Sequence, residues 1–229
     1  MARALRLDPQ PVMKRAELHG VEAGVQRMAD LVQDALERAM AALESGDLDG
    51  ARQVAAGDLA IDRLEEEIER ECLRLLGVHS HAGPAEREIR RIAAVYKLVT
   101  DLERMGDHAA AIARSTLRMH GERPISPFID IQRLAALTGE MVAGAVAAFF
   151  SADAEAARLL AERDDGVDAL YDQVFRELLT YMLDDRPSVR QATHLLFVAN
   201  SLERIADHAT NISEWAIFVD TGQRVELND

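Results

Sequence analysis

Apolar residues recur at three- and four-residue spacings along most of the chain, the period of a helix packed on one side. From about Val12 to Leu43 the stripe runs through Leu18, Val21, Val25, Met28, Val32, Leu36, Ala39 and Leu43, and it predicts a long first helix. Ser45-Gly46-Asp47 stops that helix and offers a cap to the next. The second helix is expected from about Leu48 to Val78, with Gly57 as a weak point in mid-pattern, and His79 to Pro84 reads as a turn. A third helix follows from about Ala85 to His120. Gly121 to Pro127, with two prolines, is the best linker candidate. Three more helices are expected beyond it, at about Phe128 to Phe150, Ala152 to Leu183 and Ser188 to Val219, the last two joined by a turn at Asp184 to Pro187. Pro9 and Pro11 make residues 1–11 a loose arm, and the polar tail after Asp220 is expected to fray.

The pattern repeats. Leu102-Glu-Arg-Met-Gly-Asp-His-Ala109 returns as Leu202-Glu-Arg-Ile-Ala-Asp-His-Ala209, so that His108 matches His208 and Arg90 matches Arg190. Upstream of each copy lies a helix with paired acids, Asp58 and Asp62 in one half and Asp164 and Asp168 in the other. Long helices with short connections, duplicated in this way, predict an all-α fold of two tandem antiparallel three-helix bundles, residues 12–120 and 126–219.

Acids four residues apart on a helix stack on one face and repel each other. Glu103 and Asp107 form one such pair, and Glu203 and Asp207 another. Counting outward from each turn, Asp62 is as far from it as Glu103, and Asp58 as far as Asp107. Asp168 and Glu203, and likewise Asp164 and Asp207, are equidistant from the later turn. Equal rise per residue puts equidistant residues of a helical hairpin at one height. Each half is therefore expected to gather four carboxylates at one level. Arg63, Arg104 and Arg204 directly follow acids, but adjacent residues point about 100° apart around the axis, which places them poorly for filling the centre. The alternative remedy is a multivalent cation. Oxygen-only donors suit hard ions such as Mg²⁺, Mn²⁺, Ca²⁺ or iron. The predicted metal ligands are Asp58, Asp62, Glu103, Asp107, Asp164, Asp168, Glu203 and Asp207.

Composition narrows the function. The net charge is −14, with no visible basic stripe, which argues against a nucleic-acid binder and fits cation recruitment or docking on a basic partner. Cys72 is the only cysteine, so no internal disulfide can form, and its place in a helical pattern suits a small buried side chain better than a reactive thiol. The first residues lack the apolar core of a signal peptide, and no uninterrupted apolar run approaches the ~18 residues of a membrane span. A cytoplasmic location is expected, with membrane association only through partners.

His108 and His208 follow the second acid of each copy, and could ligate at the cluster edge or cover the side of the ridge. Asn211, one turn beyond Asp207, could add a carbonyl oxygen, and Ala111 replaces it in the first half. No Glu-x-x-His is present, which disfavours ferritin-like di-iron chemistry, and no nucleophile constellation or Gly-rich phosphate loop stands out. A carboxylate-bridged metal enzyme or metal store, and a plain helical interaction module without metal, remain as alternatives to a metal-binding adaptor.

These motifs, together with Asp58 to Asp62, Asp164 to Asp168 and Thr180-Tyr-Met-Leu-Asp184, resemble the paired signatures of the PhoU family over nearly the whole chain. The resemblance implies two three-helix bundles and no catalysis. It implies multinuclear metal clusters on the acidic motifs, of iron or another divalent cation such as Mn, Mg or Zn. It further implies negative regulation of phosphate uptake and of phosphate-starvation signalling, through a phosphate transporter ATPase subunit and a membrane sensor histidine kinase, and dimer formation. The replacement of Asn211 by Ala111 in the first half implies that the two sites are not equivalent.

Overall fold

The structure, a computed structural model, describes residues 15–79, 86–121, 128–184 and 186–227. The predicted N-terminal arm, the turn after His79 and most of the linker before Phe128 lie outside these residues. Helix α1 spans Arg15–Ser45, α2 Leu48–His79 and α3 Glu86–Arg118 in the first half. In the second half α4 spans Phe128–Ser151, α5 Ala154–Ala161, α6 Asp164–Asp184 and α7 Val189–Thr221, with a 3-10 turn at Arg186–Ser188 before α7. The structure is all-α among the described residues, with the long helices where the apolar periodicity puts them.

Local chemistry sets the boundaries. Gly46 takes φ 68° after α1, and the Asp47 carboxylate accepts from the backbone N–H groups of Asp49 and Gly50, both at 3.0 Å, capping α2. Asp153 caps α5 in the same way, accepting from Glu155 N–H at 3.1 Å and Ala156 N–H at 2.9 Å. The single helix expected from Ala152 to Leu183 is instead two. Glu162 and Arg163 form a turn between α5 and α6, Arg163 N–H bonding to Leu160 O at 2.9 Å. Asp164-Asp165-Gly166 explains the restart: Asp and Gly are weak in a helix interior, and acids favour a helix's first turn. The weak point suspected in the first half, Gly57, is crossed by α2 without a break.

α2 and α3 pack together, as do α6 and α7, and the halves join through extensive packing of α3 on α7 and lesser contact of α1 with α4. α3 and α7 run antiparallel. Arg90 near the start of α3 lies against Gly222 at the end of α7, while Arg190 near the start of α7 donates to Arg118 O at the end of α3 at 3.2 Å. Two arginines at matching positions thus cover each other's helix C-terminus, where the exposed carbonyls favour positive charge. One apolar cluster runs through both halves, with Leu98, Leu102, Met105 and Ile112 of α3 and Leu195, Leu202, Ile205 and Ile212 of α7 fully buried. Each such side chain contributes about 1.5–3 kcal/mol on burial.

α4 is long and apolar enough over Asp130–Ser151 to cross a membrane. Arg133 and Glu140 interrupt the run, and its buried face, with Leu134, Met141 and Phe149, packs within the bundle chiefly on α7. Cys72 is buried and free, and burial pushes its thiol up to about 12, which suits the inert role expected of it.

Two carboxylate grooves and the junction between them

Equal counting from each turn pairs Asp58 with Asp107 and Asp164 with Asp207, and the members of these two pairs face each other in the structure. In the first half Asp58 on α2 faces Asp107 on α3, and Asp62 lies within reach of Glu103. Gly106, between the two α3 acids, permits the close approach: a Cβ there would lie 2.8 Å from Ile61 Cδ1 and 3.5 Å from Asp58 Oδ1. In the second half Asp164 on α6 faces Asp207 on α7, and Asp168 lies near Glu203. Seven of the eight acids are half-buried, and Asp168 is exposed.

Burial and mutual repulsion make these carboxyls reluctant to ionise. Asp58 is raised above the usual carboxylate range by burial first, then by Asp107 and Asp62, with Arg114 opposing. Glu103, Asp168 and Glu203 are raised by burial and then by Asp107, Asp207 and Asp207 respectively. Asp164 is pushed furthest, to about 6, by burial, then Asp207 and Asp168, with the Thr210 hydroxyl pulling the other way. Asp164 Oδ1 is buried and makes no well-formed hydrogen bond, the Thr210 hydroxyl acting on the carboxyl without closing one, and Glu203 Oε2 is likewise unbonded, its near neighbour being Arg204 Nε at 3.3 Å. The second groove encloses about 510 Å³ and is walled by Asp164, Asp165, Asp168, Glu203, Asp207 and Leu227.

The arginines are better placed than adjacent numbering suggests. Arg104 folds back to 3.4 Å from both Glu103 and Asp107. Arg204 lies 3.3 Å from Glu203 and 2.8 Å from Asp207. A guanidinium on a long flexible stem recovers the 100° that its Cβ direction loses. Arg114, two turns beyond Asp107, reaches to 4.0 Å from Asp58. Among the described residues, no three His, Cys, Asp or Glu side chains are gathered as a ready-made metal cage. The donor chemistry in each groove is oxygen on two facing helices, with a buried, unbonded oxygen on Asp164, a set that fits hard cations better than soft ones.

The histidines and Asn211 do other work. His208 Nδ1 and Asn211 Nδ2 each lie 3.0 Å from Asp101 Oδ1 across the α3–α7 junction. The His108 and His208 rings are 6.1 Å apart between centroids. Burial lowers His108, with His208, Arg204 and Arg104 acting in the same direction and Asp107 against it. Asp101 thus holds Nδ1 of His208 and Nδ2 of Asn211 at the junction. Spacing does not single out Asp101, Arg114 or Glu65, yet Asp101 joins the two halves, Arg114 reaches Asp58, and burial raises the Glu65 carboxyl. A signal existed: among the differences between the copies, Asp101 against Ser201 and Ala111 against Asn211 exchange polar groups at two positions that meet in space.

A sequence model of the PhoU domain matches this chain twice, over residues 25–116 and 131–216. The phosphate-specific transport system accessory protein PhoU homolog of Aquifex aeolicus is 41% identical over 210 residues, covering 92% of this chain and 94% of that protein. The homolog from Caulobacter vibrioides is 37% identical over 210 residues, covering 91% and 90%. Crystal structures of PhoU from Pseudomonas aeruginosa and of the phosphate transport system regulatory protein PhoU from Streptococcus pneumoniae both superpose with TM-score 0.85. They are 35% and 30% identical, covering 91% and 92% of this chain and 99% and 98% of theirs.

Proposed function

This chain belongs to the PhoU family, and from that premise we propose that it is a non-enzymatic regulator attached to a phosphate-specific transport system. In this reading it restrains phosphate uptake and phosphate-starvation signalling from the cytoplasmic side, by contacting the transporter's ATPase subunit and a membrane sensor histidine kinase, and it works as a homodimer. Support comes from relatives of matching length named as accessory proteins of phosphate transport.

The two grooves are proposed to take iron or another divalent cation such as Mn²⁺, Mg²⁺ or Zn²⁺. Asp58, Asp62, Glu103 and Asp107 would hold it in the first half, and Asp164, Asp168, Glu203 and Asp207 in the second. A bound cation would supply positive charge and tie two helices of each hairpin at one height. The chain's own part is to release the acids: Arg104 and Arg204 must swing off Glu103/Asp107 and Glu203/Asp207, and raised carboxyls must lose their protons. The observation that carries this reading is the facing of carboxyls across each hairpin, Asp58 with Asp107 and Asp164 with Asp207, with an unbonded buried oxygen on Asp164.

A metal-free helical module is the second reading, favoured by arginines that already close each acid pair. Metal analysis of freshly purified protein separates the two. Alanine at Asp58, Asp62, Glu103 and Asp107 together is expected to abolish metal in the first half, and the equivalent set in the second half to abolish the rest. Metal content unchanged in both variants would overturn the cation reading. Co-purification of the transporter ATPase subunit, lost when the grooves are neutralised, would link the grooves to docking; retained binding would separate them.

A further inference from the structure

The chain turns at the end of α7 and runs back along it. Gly222 takes φ 76° and its N–H closes α7 on Phe218 O at 2.9 Å. A side chain on Gly222 would collide with the Arg90 guanidinium, so α3 confines the turn from the far side. The returning segment is then held at three points. The Arg224 guanidinium sits 4.7 Å above the Trp215 ring, Leu227 N–H donates to Glu214 Oε1 at 2.7 Å, and Val225 and Leu227 rest half-buried against the core. Trp215 and Glu214 precede Gly222 on α7, so the segment heads toward the acid ridge. It arrives there: Leu227 forms one wall of the groove that contains Asp164, Glu203 and Asp207.

The first half is built differently. α3 also ends at a positive-φ glycine, Gly121 with φ 83°. There Met119, His120 and Gly121 line a hollow with Leu43 to Gly46 and Leu48, beside the α1–α2 turn. Among the described residues a returning segment is seen at the second groove only, and it is seated by few contacts, the kind that open locally at low cost.

We propose that residues 223–227 are a strap that closes one side of the second carboxylate groove and limits access to it from solvent. The inference deepens the cation reading of that groove, since the strap would slow cation entry there.

The test is carboxyl footprinting with a water-soluble carbodiimide and glycine ethyl ester, read by peptide mass spectrometry. The full chain is compared with a chain ending at Gly222 and with a full-length Arg224→Ala/Leu227→Ser variant that keeps the segment but loosens it. Labelling of Asp164, Glu203 and Asp207 is expected to rise about threefold or more in both, while Asp58, Glu103 and Asp107 stay as they were. Equal labelling with and without the segment overturns the strap. Mn²⁺ uptake, followed by electron paramagnetic resonance on the same proteins, tests the cation reading separately. Faster loading of the second groove without the segment supports both ideas; no Mn²⁺ bound by any of the proteins removes the cation reading and leaves the labelling to decide the strap.

Discussion

Asp101 of α3 is clasped by His208 of α7, Oδ1 lying 3.0 Å from Nδ1, and the same oxygen accepts from Asn211 Nδ2 at 3.0 Å. One carboxylate therefore pins the two halves at the middle of their shared helix pair. Replacing Asp101 with Ala leaves two half-buried polar groups without their partner, and a loss of about 1–3 kcal/mol is expected in urea unfolding. A double-mutant cycle with Asn211→Ala should be strongly non-additive, because both substitutions remove one contact.

Asp164 makes stability depend on pH. Its carboxyl holds a proton up to about 6 in the folded protein, whereas in the unfolded chain it ionises near an ordinary value of about 3.9. Between those values the folded state binds more protons, so stability falls as pH rises through the window and levels off above it. Asp58, Glu103, Asp168 and Glu203 are shifted in the same direction. Metal-free protein is expected to melt at higher temperature at pH 5 than at pH 7.5, and Asp164→Asn to flatten that difference and raise the melting point at pH 7.5. Thermal unfolding across a pH series checks both.

Arg204 competes with any cation for Glu203 and Asp207, from 3.3 and 2.8 Å. Arg204→Ala should cost the metal-free protein up to about 1 kcal/mol, as a partly exposed ion pair does. It should also enlarge the stabilisation gained on adding Mn²⁺. Arg104, at 3.4 Å from both of its acids, should show the same two effects more weakly. Thermal shifts with and without Mn²⁺ read out each.

Arg91 ties three helices together. It pairs with Glu22 of α1, donates to Phe150 O at the end of α4 at 3.2 Å, and lies 5.3 Å from the Phe149 ring centre. Its side chain is 14% exposed and that of Glu22 20%, so removing one partner strands a largely buried charge. Arg91→Ala is expected to cost about 3 kcal/mol, and Arg91→Ala with Glu22→Gln less than the sum of the two alone. Guanidinium chloride unfolding measures it.

The long helices, the duplication and the facing of Asp58 with Asp107 and of Asp164 with Asp207 were legible in the sequence because each follows from period and rise alone. Leu98, Leu102, Met105 and Ile112 advertise one buried face, and equal counting from a turn pairs Asp58 with Asp107 whatever the turn does. What could not be read depends on side-chain reach and on which face of one helix meets another. Arg204 crosses 100° of helix surface by bending, and no spacing rule records that. His208 and Asn211 turn toward Asp101 because α3 and α7 cross antiparallel, a tertiary fact absent from either motif by itself. The break before Asp164 lay in the Asp-Asp-Gly run, while Gly57 drew the suspicion instead.

The antiparallel pairing of α3 with α7 carries a historical consequence. A lone ancestral repeat would have exposed the largely apolar face now shared by those helices, so it would have gained from a second copy of itself, related by a twofold axis. In such an ancestor every cross-axis contact had to occur twice or not at all. Fusion into one polypeptide lifted that constraint, and the trio of Asp101, His208 and Asn211 exists on one side only, with Ser201 and Ala111 at the mirrored places. Lineage is thus written in the junction: divergence became free once the partners could no longer part.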